Sequence, residues 1–187
     1  MKYLLTGLVF CFLATRSIAQ SDFPPQMDKS PMDMSYYPGN YPLLKLQGKD
    51  TEPLAARIIY GRPQKNGRVI FGELVRYNEV WRLGANEATE IEFFKDVKIN
   101  NSKVKKGRYT LFCIPDTAKW TLIINKETDS WGSFIYNPRK DLLRVTVPVQ
   151  KQINPIEDFS MAFEKAGSGA NLIIGWDLCK VALPISF

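Results

Sequence analysis

The strongest constraint on the fold is a two-residue alternation of apolar and polar side chains along the C-terminal two thirds of the chain. In DLLRVTVPVQ, residues 141–150, Val145 and Val147 fall on one face, whereas Arg144 and Thr146 fall on the other. Successive side chains of a β-strand point to opposite faces of a sheet, so this period predicts half-buried strands. Short turns rich in Gly and Asn separate the runs. About eight or nine strands predict an all-β fold, either an antiparallel β-sandwich or a jelly-roll-like barrel.

The first 19 residues have the features of a secretory signal peptide. Lys2 precedes an apolar stretch at 4–14, which is too short to span a bilayer comfortably, and small residues at 17 and 19 predict cleavage before Gln20. Phe10 stands before Cys11, where a lipid-attachment site requires a small residue, so no lipid anchor is expected. The chain is therefore predicted to be exported, to the periplasm or the extracellular space, with no transmembrane segment after signal cleavage.

Residues 20–53 differ in composition from the rest of the chain. This segment contains six prolines, at positions 24, 25, 31, 38, 42 and 53. Proline removes backbone donors and favours extended backbone. The same segment carries many large apolar groups, which a solvated linker would avoid. We therefore predict an extended N-terminal arm that lies partly across the surface of a single β-sandwich domain at 54–187.

The absence of histidine from all 187 residues excludes several classes of site. Catalysis by Ser-His-Asp or Cys-His pairs is excluded, as are histidine-based zinc, copper and iron sites. No calcium-loop motif is present, and we predict no metal and no cofactor. The net charge is +6, but Lys and Arg are dispersed along the chain, so nucleic acid is not an expected partner.

The segment VWRLGANEAT, residues 80–89, has two interpretations. As a ligand site, Trp81 would be a stacking platform, Arg82 would bind a carboxylate or phosphate, and Asn86 and Glu87 would bind sugar or amide groups. As a structural brace, Trp81 would be core, Arg82 would pair with Glu87 or another carboxylate, and Asn86 would satisfy turn amides. The residue types favour the brace, and Arg62 is a further basic candidate nearby.

A second candidate lies in residues 125–141, NKETDSWGSFIYNPRKD. Trp131 could be an exposed aromatic that stacks on a sugar ring, or it could pack inward after a turn at Asp129 and Ser130. The candidate ligand-binding residues are thus Arg62, Trp81, Arg82, Asn86, Glu87 and Trp131.

Two cysteines, Cys113 and Cys179, follow the predicted signal segment. In an oxidising compartment they could form a disulfide, or each could be a buried, unpaired thiol that behaves as a small apolar residue. Spacing alone does not decide between the two.

Several segments together resemble a bacterial secreted family, domain of unknown function 2911. They include EPLAARIIYGRPQKNGRVIFGELV, EVWRLGANEATEIEFFKDV, KKGRYTLFCIP and WTLIINKETDSWGSF, and the resemblance extends over residues 20–187. It implies an exported, β-rich domain with no established activity, so it assigns no catalytic residue. It also implies that the two cysteine positions are often not cysteine in relatives, which places a disulfide outside the common design of the family.

Two functions from different classes remain. The first is a non-catalytic envelope or secreted module, binding or structural, with a glycan, peptide or protein ligand. The alternative is a carboxylate-based hydrolase that acts on an envelope or extracellular polymer, with Glu87 as acid or base and Arg82 setting its pKa. Catalytic residues are otherwise unknown.

Overall fold

The computed structural model describes residues 26–49 and 52–187, and the predicted signal peptide and its cleavage site lie outside them. The strands are β1 (Met32–Tyr37), β2 (Ala56–Gly61), β3 (Glu90–Phe93), β4 (Val97–Ile99), β5 (Ser102–Val104), β6 (Gly107–Pro115), β7 (Lys119–Asn125), β8 (Asp141–Pro148), β9 (Gln150–Ala166) and β10 (Gly169–Ser186). A short helix, α1 (Tyr41–Leu46), and a 3₁₀ turn at Pro138–Lys140 complete the regular structure of these residues.

The strands form two antiparallel sheets that face each other as a sandwich. The larger sheet has the order β1-β2-β3-β6-β7-β8, and the smaller has the order β5-β4-β10-β9. Each sheet ends in its own edge strands, so the fold is the predicted all-β sandwich and not a closed barrel. The strand number exceeds the expected eight or nine because the described part of the N-terminal arm contributes β1.

The core lies between the two sheets and includes a cluster of five aromatic rings. Trp81 stacks on Trp176 with ring centroids 6.0 Å apart and an interplanar angle of 17°. Trp120 meets Trp81 edge to face at 6.1 Å, and Phe71 and Phe159 pack on the same group. Trp120, Trp176 and Phe159 lie on strands, whereas Trp81 enters from an irregular connection. That connection is therefore part of the core.

Part of the predicted N-terminal arm forms an edge strand of the larger sheet. Residues 32–37 pair along the whole of β2, from Met32 opposite Gly61 to Tyr37 opposite Ala56, and make an edge strand. The Tyr37 ring stacks on Phe187 at 4.7 Å, and its hydroxyl donates to the carbonyl of Gly169 at 3.0 Å. This buried aromatic holds the strand in place. The prolines at 31 and 38 flank β1 and leave its ladder intact.

The two cysteines are free and buried. Cys113 lies in β6 of the larger sheet and Cys179 lies in β10 of the smaller sheet. Each packs among core side chains, and burial raises the pKa of both thiols. The disulfide that the sequence left open is therefore not formed, and the alternative of two buried apolar thiols describes the structure.

Residues 62–89 connect β2 to β3. Within this connection, the residues on either side of the segment 82–88 pair with the larger sheet. Trp81 and Cys113 exchange backbone hydrogen bonds of 2.7 and 2.9 Å, and the Leu111 amide donates to the Thr89 carbonyl at 2.8 Å. Residues 81 and 89 are thus both fixed against β6, so residues 82–88 must bulge outward. We call residues 80–89 the bulged loop.

The bulged loop lies directly against the backbone of β2. A Cβ atom added at Gly61 would overlap the carbonyl oxygen of Ala85, and one added at Gly84 would lie 2.9 Å from the carbonyl oxygen of Gly61. Gly84 also has a φ of 153°, which disfavours other residues. Two glycines therefore permit the close approach of β2 and the loop.

We predict that Gly61→Ala destabilises the protein by about 3 kcal/mol, the upper end for overpacking, because the new methyl group meets rigid backbone. Urea unfolding measures the change. Gly39→Ala is the matched control, since a Cβ there meets no atom within 4 Å, and it should change stability by less than about 0.5 kcal/mol. Equal stability of the two variants would show that the loop does not dock on β2.

Candidate functional site

The bulged loop is held in a conformation that most residues disfavour. Leu83 and Asn86 have φ values of 57° and 58°, in the left-handed region, and Leu83 is completely buried. The hydroxyl of Thr89 donates to the Leu83 carbonyl at 2.5 Å, and the Thr89 amide donates to the Arg82 carbonyl at 3.1 Å. A buried, non-glycine residue with this backbone persists only where its surroundings fix it, and such residues concentrate at functional sites.

Trp81 belongs to the core and also contributes to the lining of a cleft beside Arg82. Its side chain is 7% exposed, and its indole N–H donates to the Gly84 carbonyl at 3.2 Å. The ring is enclosed by the aromatic cluster described above. The structure therefore places Trp81 in the core, as the structural interpretation predicts, and also at the wall of the cleft.

Arg82 lies half-buried beside a cleft of about 280 Å³ and has no partner among the described residues. Its Nε atom is buried without an acceptor, and no carboxylate of residues 26–49 or 52–187 lies within salt-bridge distance of its guanidinium. Burial lowers the pKa of Arg82. The expected pairing of Arg82 with Glu87 is absent. The left-handed backbone at Leu83 and Asn86 turns Glu87 outward, where its side chain is exposed. We call this the Arg82 cleft.

A second guanidinium, that of Arg68, lines the same cleft. Its Nε donates to the Lys65 carbonyl at 3.0 Å, and one terminal nitrogen donates to the Gln64 carbonyl. Carbonyl acceptors fix the group in place but leave its positive charge uncompensated. Two arginines thus share one cavity whose lining residues include no acid.

The remaining lining of the Arg82 cleft is mixed. Ser30 and Asn86 contribute polar groups, and Asn86 Nδ2 donates to Asp28 Oδ2 at 2.9 Å, which brings one acidic residue of the N-terminal arm to the rim. Leu74 and Trp176 contribute apolar surface. A small cavity with apolar walls and a few charged groups is the usual form of a small-molecule site.

Glu87 and Trp131 lie together on another side of the bulged loop. The two residues form an antiparallel bridge, the Ala88 amide donates to the Ser130 carbonyl at 2.8 Å, and the Gly132 amide donates to the Asn86 carbonyl at 2.9 Å. Trp131 is 59% exposed. The structure therefore joins the two segments that the sequence analysis treated separately, but it separates Glu87 from Arg82.

A smaller cavity of about 150 Å³ adjoins this bridge and is lined by three acids, Glu87, Glu90 and Asp129. Arg108 pairs with Glu90 at 3.3 Å and with Asp129 at 2.6 Å. Arg108 thus supplies one positive charge to two of the three carboxylates. The arrangement proposed for a hydrolase, with Arg82 beside Glu87, is not present.

Arg62 contributes to neither cavity. One terminal nitrogen binds Asp33 Oδ2 at 2.9 Å and the other binds the Ser160 hydroxyl at 3.2 Å. It therefore links β1, β2 and β9 and has a structural role.

The candidate ligand-binding set predicted from the sequence did not include Arg68, Ser30, Phe134 or Ile135. Arg68 and Ser30 reach the cleft only because residues 62–89 and the N-terminal arm fold back on the same end of the sandwich. Phe134 and Ile135 are 86% and 65% exposed. The sequence contained a signal of this exposed pair, because two large apolar residues directly follow Gly132 and Ser133 in a segment whose composition is typical of turns.

Within the described ranges, no group of three or more His, Cys, Asp or Glu side chains is arranged to hold a metal ion. Over the same residues, no helix has both the length and the apolar character needed to cross a membrane.

Comparison with known proteins identifies a family model described as "Protein of unknown function (DUF2911)", which matches residues 45–185. No curated protein and no solved structure matches the chain. The matched range contains the bulged loop, Arg68 and Trp131, whereas Ser30 and β1 precede it.

We predict that Arg82→Met leaves the stability of the ligand-free protein unchanged or slightly raised. Methionine keeps the apolar stem and removes a half-buried charge that has no partner in the protein. Trp81→Ala, in contrast, should cost about 3–5 kcal/mol because it opens a cavity in the aromatic cluster. Thermal unfolding followed by circular dichroism measures both. If Arg82→Met lowered the stability of the protein as much as Trp81→Ala, Arg82 would be a structural brace.

Proposed function

Because this chain belongs to the DUF2911 family of proteins of unknown function, we propose a function from the geometry of the site alone: the domain is a non-catalytic binding module for a small organic anion. The ligand carries a carboxylate or phosphate group that Arg82 binds, together with an apolar group that the cleft walls contact. The observation that carries the proposal is the half-buried guanidinium of Arg82, which has no acceptor among the described residues.

A charge that is partly removed from water and has no partner is costly, so its presence favours a compensating group. Guanidinium is planar and presents paired N–H donors that match a carboxylate or phosphate. A hydrogen bond to a charged group contributes about 1.5–3 kcal/mol. An anion placed against Arg82 would satisfy the buried Nε and recover this energy on binding.

The surroundings of Arg82 support a ligand with two chemically different ends. Arg68 adds a second positive charge that backbone carbonyls hold in position. Leu74 and Trp176 offer apolar surface in the same cavity of about 280 Å³. Burial of apolar surface would contribute roughly 25 cal/mol per Å².

The predicted signal segment at 1–19 supports export, so the ligand is expected among periplasmic or extracellular molecules. Peptides with a free C-terminal carboxylate and glycans with acidic groups have the chemistry that Arg82 would recognise. A binding module is favoured over a hydrolase because Glu87 is exposed and lies at a different cavity from Arg82.

We predict that benzoate and phenyl phosphate bind the purified protein in isothermal titration calorimetry, whereas benzamide, which is neutral and of similar shape, does not. The comparison of the two anions shows which acid group the cleft prefers. Arg82→Gln should weaken binding of the preferred anion by roughly tenfold or more, as expected for the loss of a charge-assisted pair.

Arg76→Gln is the matched control, because Arg76 is exposed and pairs with Glu79 at 3.5 Å away from the cleft lining. It should bind the anion as the unmodified protein does. The proposal would be contradicted if benzamide bound as tightly as the preferred anion. It would also be contradicted if Arg82→Gln and Arg76→Gln weakened anion binding equally.

A further inference from the structure

The smaller cavity, of about 150 Å³, lies on the outer face of the larger sheet. Ile58 of β2 and Ile91 of β3 belong to the core, so Ile59 and Glu90, which lie opposite each other in the register, point to the outer face. The bulged loop and the segment between β7 and β8 cover this face. The lining residues are Met32, Ile59, Glu87, Ala88, Glu90, Asp129 and Ser130. We call this cavity the acidic cavity.

The acidic cavity has more negative than positive charge. Three of its lining residues are the acids Glu87, Glu90 and Asp129. Among the described residues, the one cation that pairs with any of them is Arg108, at 3.3 Å from Glu90 and 2.6 Å from Asp129. One guanidinium therefore serves three carboxylates, and two negative charges have no counter-charge within salt-bridge distance. A concave surface lined by one sign of charge attracts the opposite sign, here a cation.

Three acceptors of the acidic cavity are left without a donor. Glu90 uses Oε1 to accept the Asp129 amide at 2.7 Å and Oε2 to contact Arg108. Asp129 uses Oδ2 to accept from Arg108. Within residues 26–49 and 52–187, the acceptors that receive no hydrogen bond are the Glu87 carboxylate, Asp129 Oδ1 and the Ser130 hydroxyl.

The Ser130 hydroxyl distinguishes this cavity from an ordinary exposed acidic patch. Ser130 is 4% exposed, and its Oγ atom is buried without a partner in the described part of the chain. Its carbonyl accepts from the Ala88 amide at 2.8 Å, which fixes the residue at the wall of the cavity. A buried polar atom without a partner costs free energy, so Ser130 favours a ligand that brings a donor.

We propose that the acidic cavity binds the primary ammonium group of an organic amine, either a free alkylamine or the side chain of a lysine in a peptide. An ammonium group has three N–H donors and no acceptor. Its donors equal in number the free acceptors that Glu87, Asp129 and Ser130 provide. Its charge offsets the excess of negative charge, and hydrogen bonds between ions are stronger than neutral ones.

The walls of the acidic cavity fit the carbon chain of an amine. Met32, Ile59 and Ala88 place hydrocarbon next to the three acids. A metal ion carries no carbon chain that these walls could contact, and the described ranges contain no group of acids arranged to hold one. The inference is independent of the proposed anion site, because no residue lines both cavities.

An NMR titration of the full purified protein at low ionic strength tests the proposal. The probes are n-butylammonium and Nα-acetyl-lysine N-methylamide, which represent the free amine and the lysine side chain. Both should shift the backbone amide resonances of Ala88 and Asp129, and the tighter of the two identifies the source of the ammonium group. Butanol, which is neutral, and tetramethylammonium, which has no N–H donor, should bind at least roughly tenfold more weakly than butylammonium.

Glu87→Gln should weaken butylammonium binding by roughly tenfold or more, because it removes one negative charge and keeps the shape of the side chain. Glu87 is exposed and receives no hydrogen bond from the described residues, so the circular dichroism spectrum should not change. Glu164→Gln is the matched control. Glu164 is exposed on β9, forms no salt bridge with the described residues and does not line the acidic cavity, so this variant should bind normally.

Ser130→Ala separates a ligand-binding hydroxyl from a structural one. Its thermal stability without ligand should be unchanged or slightly raised, because the hydroxyl has no partner to lose. Its affinity for butylammonium should fall by roughly threefold or more, as expected for the loss of one hydrogen bond.

The proposal is overturned if neither amine shifts the two amide resonances, or if butanol or tetramethylammonium binds as tightly as butylammonium. It is also overturned if Glu87→Gln or Ser130→Ala binds butylammonium as the unmodified protein does. A stronger response of the same resonances to magnesium or calcium than to the amines would make the cavity a metal site and would overturn the proposal as well.

Discussion

The burial of Trp81 between the two sheets is the interaction on which the candidate site depends. Its ring stacks on Trp176, and its backbone pairs with Cys113 of β6. Thr89, eight residues later, is fixed to Leu111 on the same strand. Because both ends are held against one strand, residues 82–88 must bulge outward, and Gly61 and Gly84 permit the bulge to lie on β2. The aromatic core thus sets the position of Arg82.

The same bulge supports two surfaces with different chemistry. On one side, Arg82 and Arg68 share a cavity that no lining acid compensates. On the other, the backbone of residues 86–88 pairs with residues 130–132 and holds the segment that carries the exposed Trp131, Phe134 and Ile135. An unpaired half-buried cation and solvent-exposed apolar side chains both work against the stability of an isolated domain. Proteins usually retain such features where a ligand or partner compensates them.

Much of the fold could be predicted from the sequence because strands leave a local signal. The alternation in β7 and β8 places Trp120, Leu122 and Val145 inward, as they are found. The edge strand β1 was harder to predict, because the surrounding prolines conceal a ladder that depends on Tyr37 packing against distant residues. The two cysteines are free and buried in different sheets, and spacing along the chain does not reveal that placement.

The site could be predicted only as a set of candidate residues. Trp81 suits both a core and a ligand surface, and only its contacts decide between them. The short spacing of Arg82 and Glu87 suggested a pair, but left-handed backbone at Leu83 and Asn86 directs the two side chains apart. Arg68 joins Arg82 through the path of a long connection, and no local pattern specifies that path.

The central claim is that a rigid loop presents an unpaired Arg82 to a ligand, and NMR of the arginine Nε–H groups tests it most directly. On addition of benzoate, the Arg82 Nε–H resonance should shift and its exchange with solvent should slow, as an acceptor reaches the buried nitrogen. The backbone amides of Trp81 and Cys113 should not move. An unchanged Arg82 resonance, or a rearrangement of those two amides, would contradict the claim.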